Sequence, residues 1–195
     1  MINDKETLIN YLEKDKLALY KTYKKPKLIG DEIWKFQILY RKYEYARNCL
    51  KKKWHLPYVL YLKYRFNKLS VKLGFSIPIN TIKEGLSIAH YGNIVINGNC
   101  KIGKNCRIQE GVTIGATNGQ KTAPVIGSNV FIGSGAKIIG DIKIEDDVAI
   151  GAGSVVVKSI HNKGITVAGV PAKKVSDNNS HININPTLLD KKNNK

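Results

Sequence analysis

Histidine is the side chain best suited to exchange a proton near neutral pH, because an unperturbed imidazole titrates at about 6.5. The chain has four, namely His55, His90, His161 and His181. Only His90 interrupts a regular aliphatic pattern, at a place where isoleucine stands further along the chain. It is either a general base or a tolerated polar residue at the start of that pattern, and the spacing alone favours neither.

The cysteines offer less chemistry. Cys49, Cys100 and Cys106 are an odd number and form no C-x-x-C pair. They predict neither a disulfide framework nor a zinc site, so no metal is expected. Cys100 and Cys106 each lie four residues after an aliphatic of the six-residue repeat described next, a position that is small or β-branched in the other repeats. This favours apolar fillers over reactive thiols.

A six-residue interval organises the second half of the chain. Neither an α-helix, with a period of about 3.6, nor a β-strand, with a period of about 2, produces it. A hexad repeat is typical of a parallel β-helix, which buries one aliphatic side chain on each flat face. The ten aliphatic residues in phase are Ile96, Ile102, Ile108, Ile114, Ile126, Ile132, Ile138, Ile144, Ile150 and Val156.

Composition divides the chain near Gly74. All but one of the 17 glycines lie at or after this residue, whereas both tryptophans and nine of the ten tyrosines precede it. We therefore predict an α-helical module over residues 1–74, the β-helix over residues 75–175 and a C-terminal tail over residues 176–195, mostly loose.

Spacings of three and four residues predict three helices in the first module. The first covers Thr7 to Tyr20. Asp31 is placed as the N-cap of the second, which ends near Lys53. The third has Pro57 in its first turn and Gly74 as its C-terminal cap. The second helix carries the apolar stripe Ile33, Phe36, Tyr40 and Tyr43.

The net charge is +17, from 32 Lys+Arg against 15 Asp+Glu, which first suggests a polyanionic partner. Only four of these cations are arginine, the residue that dominates base-reading contacts, so no nucleic-acid partner is expected. No apolar run reaches the roughly 18 residues of a membrane span, and the first residues lack a secretory pattern. We expect a cytoplasmic protein, with peripheral association at the inner membrane face left open.

Three strings carry a resemblance to a known family. They are GLSIAHYGNIVI over residues 85–96, QEGVTIGAT over residues 109–117 and AGVPA over residues 168–172. In this order they resemble the serine acetyltransferase branch of the hexapeptide acyltransferases. The resemblance implies a mainly β fold, a left-handed parallel β-helix of hexapeptide repeats with roughly 18 residues to a coil.

The resemblance also implies the chemistry. It assigns acetyl-CoA as the donor, His90 as the general base, and a homotrimer with each site between neighbouring coils. Backbone amides near Gly115 and Ala116 would stabilise the oxyanion. The positions that match the donor site of the family are Gly115, Ala116, Thr117, Ser134, Ala152 and Lys173.

Three departures from the family concern the acceptor. Ala89 stands where serine acetyltransferases have Asp, Phe75 replaces their His-orienting Asp, and the loop over residues 116–125 ends Lys-Thr-Ala-Pro instead of Asp-Arg-His-Pro. A serine acceptor needs partners for both of its charges. Glu110, about one coil from His90, is the candidate that orients the imidazole, although a solvated carboxylate explains it equally well.

We therefore expect an O-acetyltransferase that modifies a sugar hydroxyl in surface-polysaccharide biosynthesis. Two alternatives stay open. One is a serine O-acetyltransferase of cysteine biosynthesis. The other is a non-catalytic protein that docks to a membrane surface or to a complex through its basic, aromatic helical module.

Overall fold

The computed structural model describes residues 1–117 and 119–189, and it begins with the three predicted helices. They are α1 (Lys5–Ala18), α2 (Glu32–Cys49) and α3 (Leu56–Leu73), with a short 3-10 helix, Lys53–His55, before the last. None of these described helices is both long and apolar enough to cross a bilayer.

The helix ends follow local chemistry. Asp4 caps α1, because its carboxylate accepts the Thr7 amide at 2.7 Å. Pro57 lies in the first turn of α3, and Gly74 closes the helix in the left-handed conformation at φ 77°. Asp31 does occupy the N-cap position of α2, but its carboxylate makes no capping hydrogen bond. The predicted N-cap position of Asp31 is therefore confirmed, but the cap is made by its carbonyl, which accepts the Lys35 amide at 2.9 Å.

Short parallel strands form the second part of the chain. The aliphatic residues in the hexad phase point inward, since each of the ten isoleucine or valine side chains predicted from the hexads is at most 2% exposed. The strands are β1 (Phe75–Ser76), β2 (Ser87–Ile88), β3 (Ile94–Ile96), β4 (Lys101–Ile102), β5 (Arg107–Ile108), β6 (Thr113–Gly115), β7 (Val125–Ile126), β8 (Phe131–Ile132), β9 (Lys137–Ile139), β10 (Lys143–Ile144), β11 (Ala149–Ile150), β12 (Val155–Val156), β13 (Thr166–Gly169) and β14 (Ala172–Ser176).

The strands stack into three sheets, in the orders β1-β3-β6-β9-β12, β4-β7-β10 and β2-β5-β8-β11-β13-β14. Every pairing is parallel except β13 with β14. A regular coil advances 18 residues, as from Ile96 to Ile114. The coil that contains residues 116–124 advances 24, from Ile102 to Ile126. The extra residues leave the coil, as the interrupted pattern predicts.

One buried ion-pair network joins the helices to the coil. Arg41 of α2 is fully buried, and its Nε donates to Asp15 of α1 at 2.8 Å. The guanidinium also donates to the carbonyl oxygens of Ile82 and Lys83, each at 2.8 Å. Asp15 in turn accepts the amides of Gly85 and Leu86. A buried charge is stable only when it is paired and hydrogen-bonded, so this network fixes α1 and α2 against the first coil.

The segment after β14 is ordered as far as Leu189, so our prediction of a mostly loose tail is wrong for residues 177–189. Ser180 is fully buried, and Ile184 and Leu188 are less than a tenth exposed. The side-chain amide of Asn185 donates to the Leu17 carbonyl of α1 at 2.6 Å. We call residues 177–189 the C-terminal strap. Residues 190–195 of the predicted tail lie outside the described residues.

The strap covers one corner of the coil, where a ladder of polar side chains runs from coil to coil. Asn105, Asn129 and Asp147 all have positive φ, near 55–61°. Asn105 donates its amide to Asn129, and Asn129 donates to Asp147, both at 2.9 Å. The His181 ring of the strap contacts Asp147 at 2.8 Å. Short polar side chains tolerate this backbone and bond one another, which explains why they replace glycine here.

Candidate active site

His90 lies outside the core of the coil, in the turn between β2 and β3. The first coil is two residues longer than a regular one, since Ile88 pairs with Ile108, 20 residues later. Ile88 therefore fills the core position, at 1% exposed, and His90 is exposed beside it. The prediction that His90 replaces an isoleucine of the repeat is wrong. An exposed imidazole in an irregular turn is free to meet a substrate.

Glu110 lies one coil further along the stack, beside this turn. A Cβ added to Gly92 would lie 3.1 Å from the Glu110 Cβ, so the two backbones approach closely. The imidazole and this carboxylate are thus within electrostatic range of each other.

One oxygen of Glu110 is unsatisfied. The Ser134 hydroxyl has a single proton, which it donates to the side-chain oxygen of Gln109 at 2.6 Å. Oε2 of Glu110 is buried and has no hydrogen-bond partner among the described residues. A buried acceptor without a donor is costly. It is therefore well suited to accept a ring N–H of His90.

A column of small residues continues from Glu110 along the same corner. Ser134 and Ala152 occupy equivalent places one coil apart, and the Gly153 amide donates to the Ser134 carbonyl at 2.7 Å. The glycines that follow the column residues, Gly111 and Gly135, both have positive φ. A Cβ on Gly111 would lie 3.2 Å from Gly135, so neighbouring coils stack tightly here. Ala152 is exposed and Ser134 is half-buried, so the column is accessible from outside.

Lys173 lies at the far end of this corner. It is exposed on β14, opposite Ala168 of β13. A Cβ on Gly151, the residue before Ala152, would lie 3.0 Å from the Ala168 Cβ. The structure therefore brings Glu110, Ser134, Ala152 and Lys173 to one edge, with the His90 turn at its start.

Gly115, Ala116 and Thr117 lie elsewhere. Gly115 ends β6 and the other two residues follow it, so all three lie at the opposite end of that strand from the Glu110 corner. The Gly115 carbonyl accepts the Gly140 amide at 2.9 Å, and a Cβ on Gly140 would lie 3.4 Å from the Thr117 hydroxyl. A single chain does not bring these residues to the His90 turn.

A cleft of about 240 Å³ opens between the His90 turn and the segment after α1. Ala89 and Tyr91, the two neighbours of His90, line it together with Tyr20, Trp34 and Arg107. Tyr20 and Tyr91 are 55% and 57% exposed. The sequence analysis did not identify this cleft. Its one available signal was Tyr91, the single tyrosine beyond Gly74.

Besides Arg107, the cleft is lined by two charged side chains, Lys21 and Asp31, whose charges neutralise each other. Lys21 forms an ion pair with Asp31 at 2.5 Å, and Asp31 also accepts the Tyr23 hydroxyl and the Lys27 amide. These contacts hold the pKa of Asp31 well below its usual range, the hydrogen bond from Lys21 being the first cause. The Arg107 guanidinium donates only to the Ser87 hydroxyl, at 2.9 Å, within the described residues. The cleft therefore presents one cation whose charge is not matched.

The repeats and the fold both have known relatives. Residues 123–158 match the family described as bacterial transferase hexapeptide (six repeats). A serine acetyltransferase of Staphylococcus epidermidis is 44% identical over 107 residues, which are 54% of this chain and 50% of that protein. The chain thus spans about half the length of this relative.

Solved structures extend the likeness to the helices. The apoenzyme of soybean serine acetyltransferase superposes with a TM-score of 0.68 at 27% identity, over 88% of this chain and 70% of that one. A serine acetyltransferase in complex with CoA gives a TM-score of 0.67 at 27% identity, over 88% and 71%. The chain therefore has a serine acetyltransferase-like fold, with hexapeptide repeats preceded by a small helical module.

Proposed function

We propose that this chain transfers an acetyl group from acetyl-CoA to an alcohol hydroxyl. It has the hexapeptide repeats of bacterial transferases and a serine acetyltransferase-like fold. The observation that carries this proposal is the column that begins beside the exposed His90 turn and continues over Glu110, Ser134 and Ala152. A reactive group at one end of an open groove of small residues suits a long, thin thioester donor.

The roles of the residues follow from their positions. His90 accepts the proton of the acceptor hydroxyl, whose oxygen attacks the thioester carbonyl carbon. The C–S bond breaks, an acetyl ester forms, and the imidazolium returns its proton to the departing CoA sulfur. The unsatisfied Oε2 of Glu110 accepts the other ring N–H, which fixes the tautomer and stabilises the imidazolium.

Donor binding calls for more than one chain. Ser134 and Ala152 leave room for the pantetheine arm along the column, and Lys173 lies where it can pair with the nucleotide phosphates. Gly115 to Thr117, which the resemblance places at the thioester, lie at the other end of β6. We propose that a homotrimer brings this end of one coil against the His90 corner of its neighbour, so that each site is shared between two chains.

We take serine as the acceptor. Relatives of this chain bear the name serine acetyltransferase, and this favours serine over the sugar hydroxyl that the missing charged residues suggested. The unmatched Arg107 in the cleft can pair with the serine carboxylate. A sugar is the second candidate, because Tyr20 and Tyr91 expose aromatic faces on which a sugar ring can stack.

An acceptor assay tests the proposal. CoA release from acetyl-CoA is followed with a thiol reagent, with serine, nucleotide sugars and glycans supplied in parallel. We expect saturable turnover with serine, and about a tenfold or greater rise of KM for serine in Arg107→Gln, since hydrogen bonds to charged groups contribute about 1.5–3 kcal/mol. Arg47→Gln, an exposed arginine on α2, is the control.

The outcomes separate the candidates. Faster turnover of a neutral sugar than of serine, with no effect of Arg107→Gln, would make the sugar the acceptor. If no acceptor raises CoA release above the background hydrolysis, the proposed activity is refuted.

The donor groove yields a second expectation. Ala152→Tyr places a bulky side chain in the column, so KM for acetyl-CoA should rise at least about tenfold, as when binding contacts worth about 1.4 kcal/mol are lost. The same change at Asn162, which is exposed and away from the column, serves as the control. An unchanged KM for acetyl-CoA in Ala152→Tyr would place the donor elsewhere.

A further inference from the structure

Helix α3 has two apolar faces, and only one is covered. Val59, Leu62, Phe66 and Leu73 pack into the core. The second face, which we call the α3 stripe, consists of Leu56, Leu60, Tyr64 and Val71, each between 54% and 84% exposed. Its spacings of four, four and seven residues keep these side chains on one side of the helix.

A basic groove of about 910 Å³ runs beside the stripe, between α3, α2 and residues 24–28. Eight lysines and arginines line it, against one carboxylate, Glu32, which already pairs with Lys35 at 3.3 Å. Between Glu44 and Glu84 the sequence contains no acidic residue. Seven of the lining cations form no ion pair among residues 1–117 and 119–189, namely Lys24, Lys25, Lys27, Lys42, Arg65, Lys68 and Lys72.

The charge of this face excludes some partners and favours others. A second copy would set one strongly cationic groove against another, and like charges facing each other are costly. The complementary partner is anionic. Because exposed leucine, valine and tyrosine side chains stand directly beside the cations, the same partner must also accept apolar groups. Trp54, 70% exposed with Lys52 over its ring at 4.7 Å, repeats this pairing at the start of α3.

We propose that α3 lies flat on a membrane surface that contains anionic phospholipids. The α3 stripe enters the boundary between headgroups and acyl chains, tyrosine and tryptophan rings stay at headgroup level, and the groove cations pair with lipid phosphates. Each lysine or arginine near such a surface contributes enough attraction to raise binding about fivefold. This inference goes beyond the proposed acetyl transfer and does not depend on it.

Vesicle sedimentation of the full chain tests the inference. We expect binding to vesicles of phosphatidylcholine with phosphatidylglycerol at low salt, loss of binding at high salt, and little binding to pure phosphatidylcholine. The charge variant Arg65→Gln/Lys68→Gln/Lys72→Gln should bind on the order of 100-fold more weakly. Its matched control, Lys5→Gln/Lys101→Gln/Lys158→Gln, removes three exposed cations outside the groove and should bind about as well as the parent.

A stripe variant, Leu60→Ser/Val71→Ser, separates lipid from other occupants. If the stripe enters the membrane, this variant loses vesicle binding while its oligomeric state, measured by sedimentation velocity, stays unchanged. Absence of vesicle binding at low salt, or equal binding by the charge variant and its control, overturns the inference. Loss of a larger assembly in the stripe variant, with no vesicle binding by the parent, would instead make the stripe a contact between copies of the chain.

Discussion

Replacing His90 by alanine lowers kcat/KM for acetyl transfer by at least about 100-fold, the usual contribution of a positioned general base. The loss should fall on kcat, because the imidazole acts on the proton that moves in the transition state and not on the bound donor. Steady-state kinetics with acetyl-CoA and the best acceptor measures it. Since His90 is exposed and outside the core, its removal should leave the thermal midpoint unchanged.

His161→Ala is the matched control, because His161 is also exposed but lies on a later coil, away from the column. It should keep the activity of the parent. If His90→Ala is folded and turns over at a rate near that of the parent, the imidazole is not the base, and the proton must go to another group beside the turn.

The largest expected loss of stability comes from Arg41→Ala. This change leaves Asp15 and Glu44 buried, at 2% and 0% exposed, without their cation. Breaking a buried pair by removing one partner costs about 3–5 kcal/mol. For a chain of this length we expect the thermal midpoint to fall by roughly 10 °C. Arg47→Ala removes an exposed arginine from the same helix and should change it little.

The loss in Arg41→Ala should depend on pH. Burial is the first cause that raises the pKa of both Asp15 and Glu44, and Arg41 opposes that effect. Without Arg41 the folded variant holds these protons to higher pH than the unfolded chain does. Its stability therefore falls as pH rises, and the deficit should be larger at pH 8 than at pH 5. A deficit that is equal at both values would mean that the two carboxylates are not left as buried charges.

The hexad pattern predicted the coil because each aliphatic residue in it has one structural role, which is to fill the interior of the stack. The pattern could not place His90, because a two-residue lengthening of one turn moves Ile88 into the core and leaves no trace in composition. A contact such as that of Glu110 with Gly92 depends on which coils are neighbours. From the sequence alone, only the separation of Glu110 from His90, about one coil, could be predicted.

The C-terminal strap and the cleft could not be predicted for a different reason. Asn185 meets Leu17 across 168 residues, and short polar side chains of the strap carry no periodicity that distinguishes a bound segment from a loose one. Asp31 lies at the N-cap position of its helix, but its carboxylate accepts hydrogen bonds from Lys21 and Tyr23 instead of from a helix amide. In each case a long-range or competing partner decides the local structure.

In chains built of stacked coils, folding can start at any coil and spread from it, because each coil contacts only its neighbours. Here the C-terminal strap contacts the first helix, so the hydrogen bond from Asn185 to Leu17 can form only after all the described coils have been synthesised. The nascent helical module lacks this contact while the ribosome is still adding coils. Once it forms, this contact ties the helical module to the strap, and the strap in turn contacts Asn129 and Asp147 of the coils. Helices and coils are then linked by a contact that stacking alone does not provide.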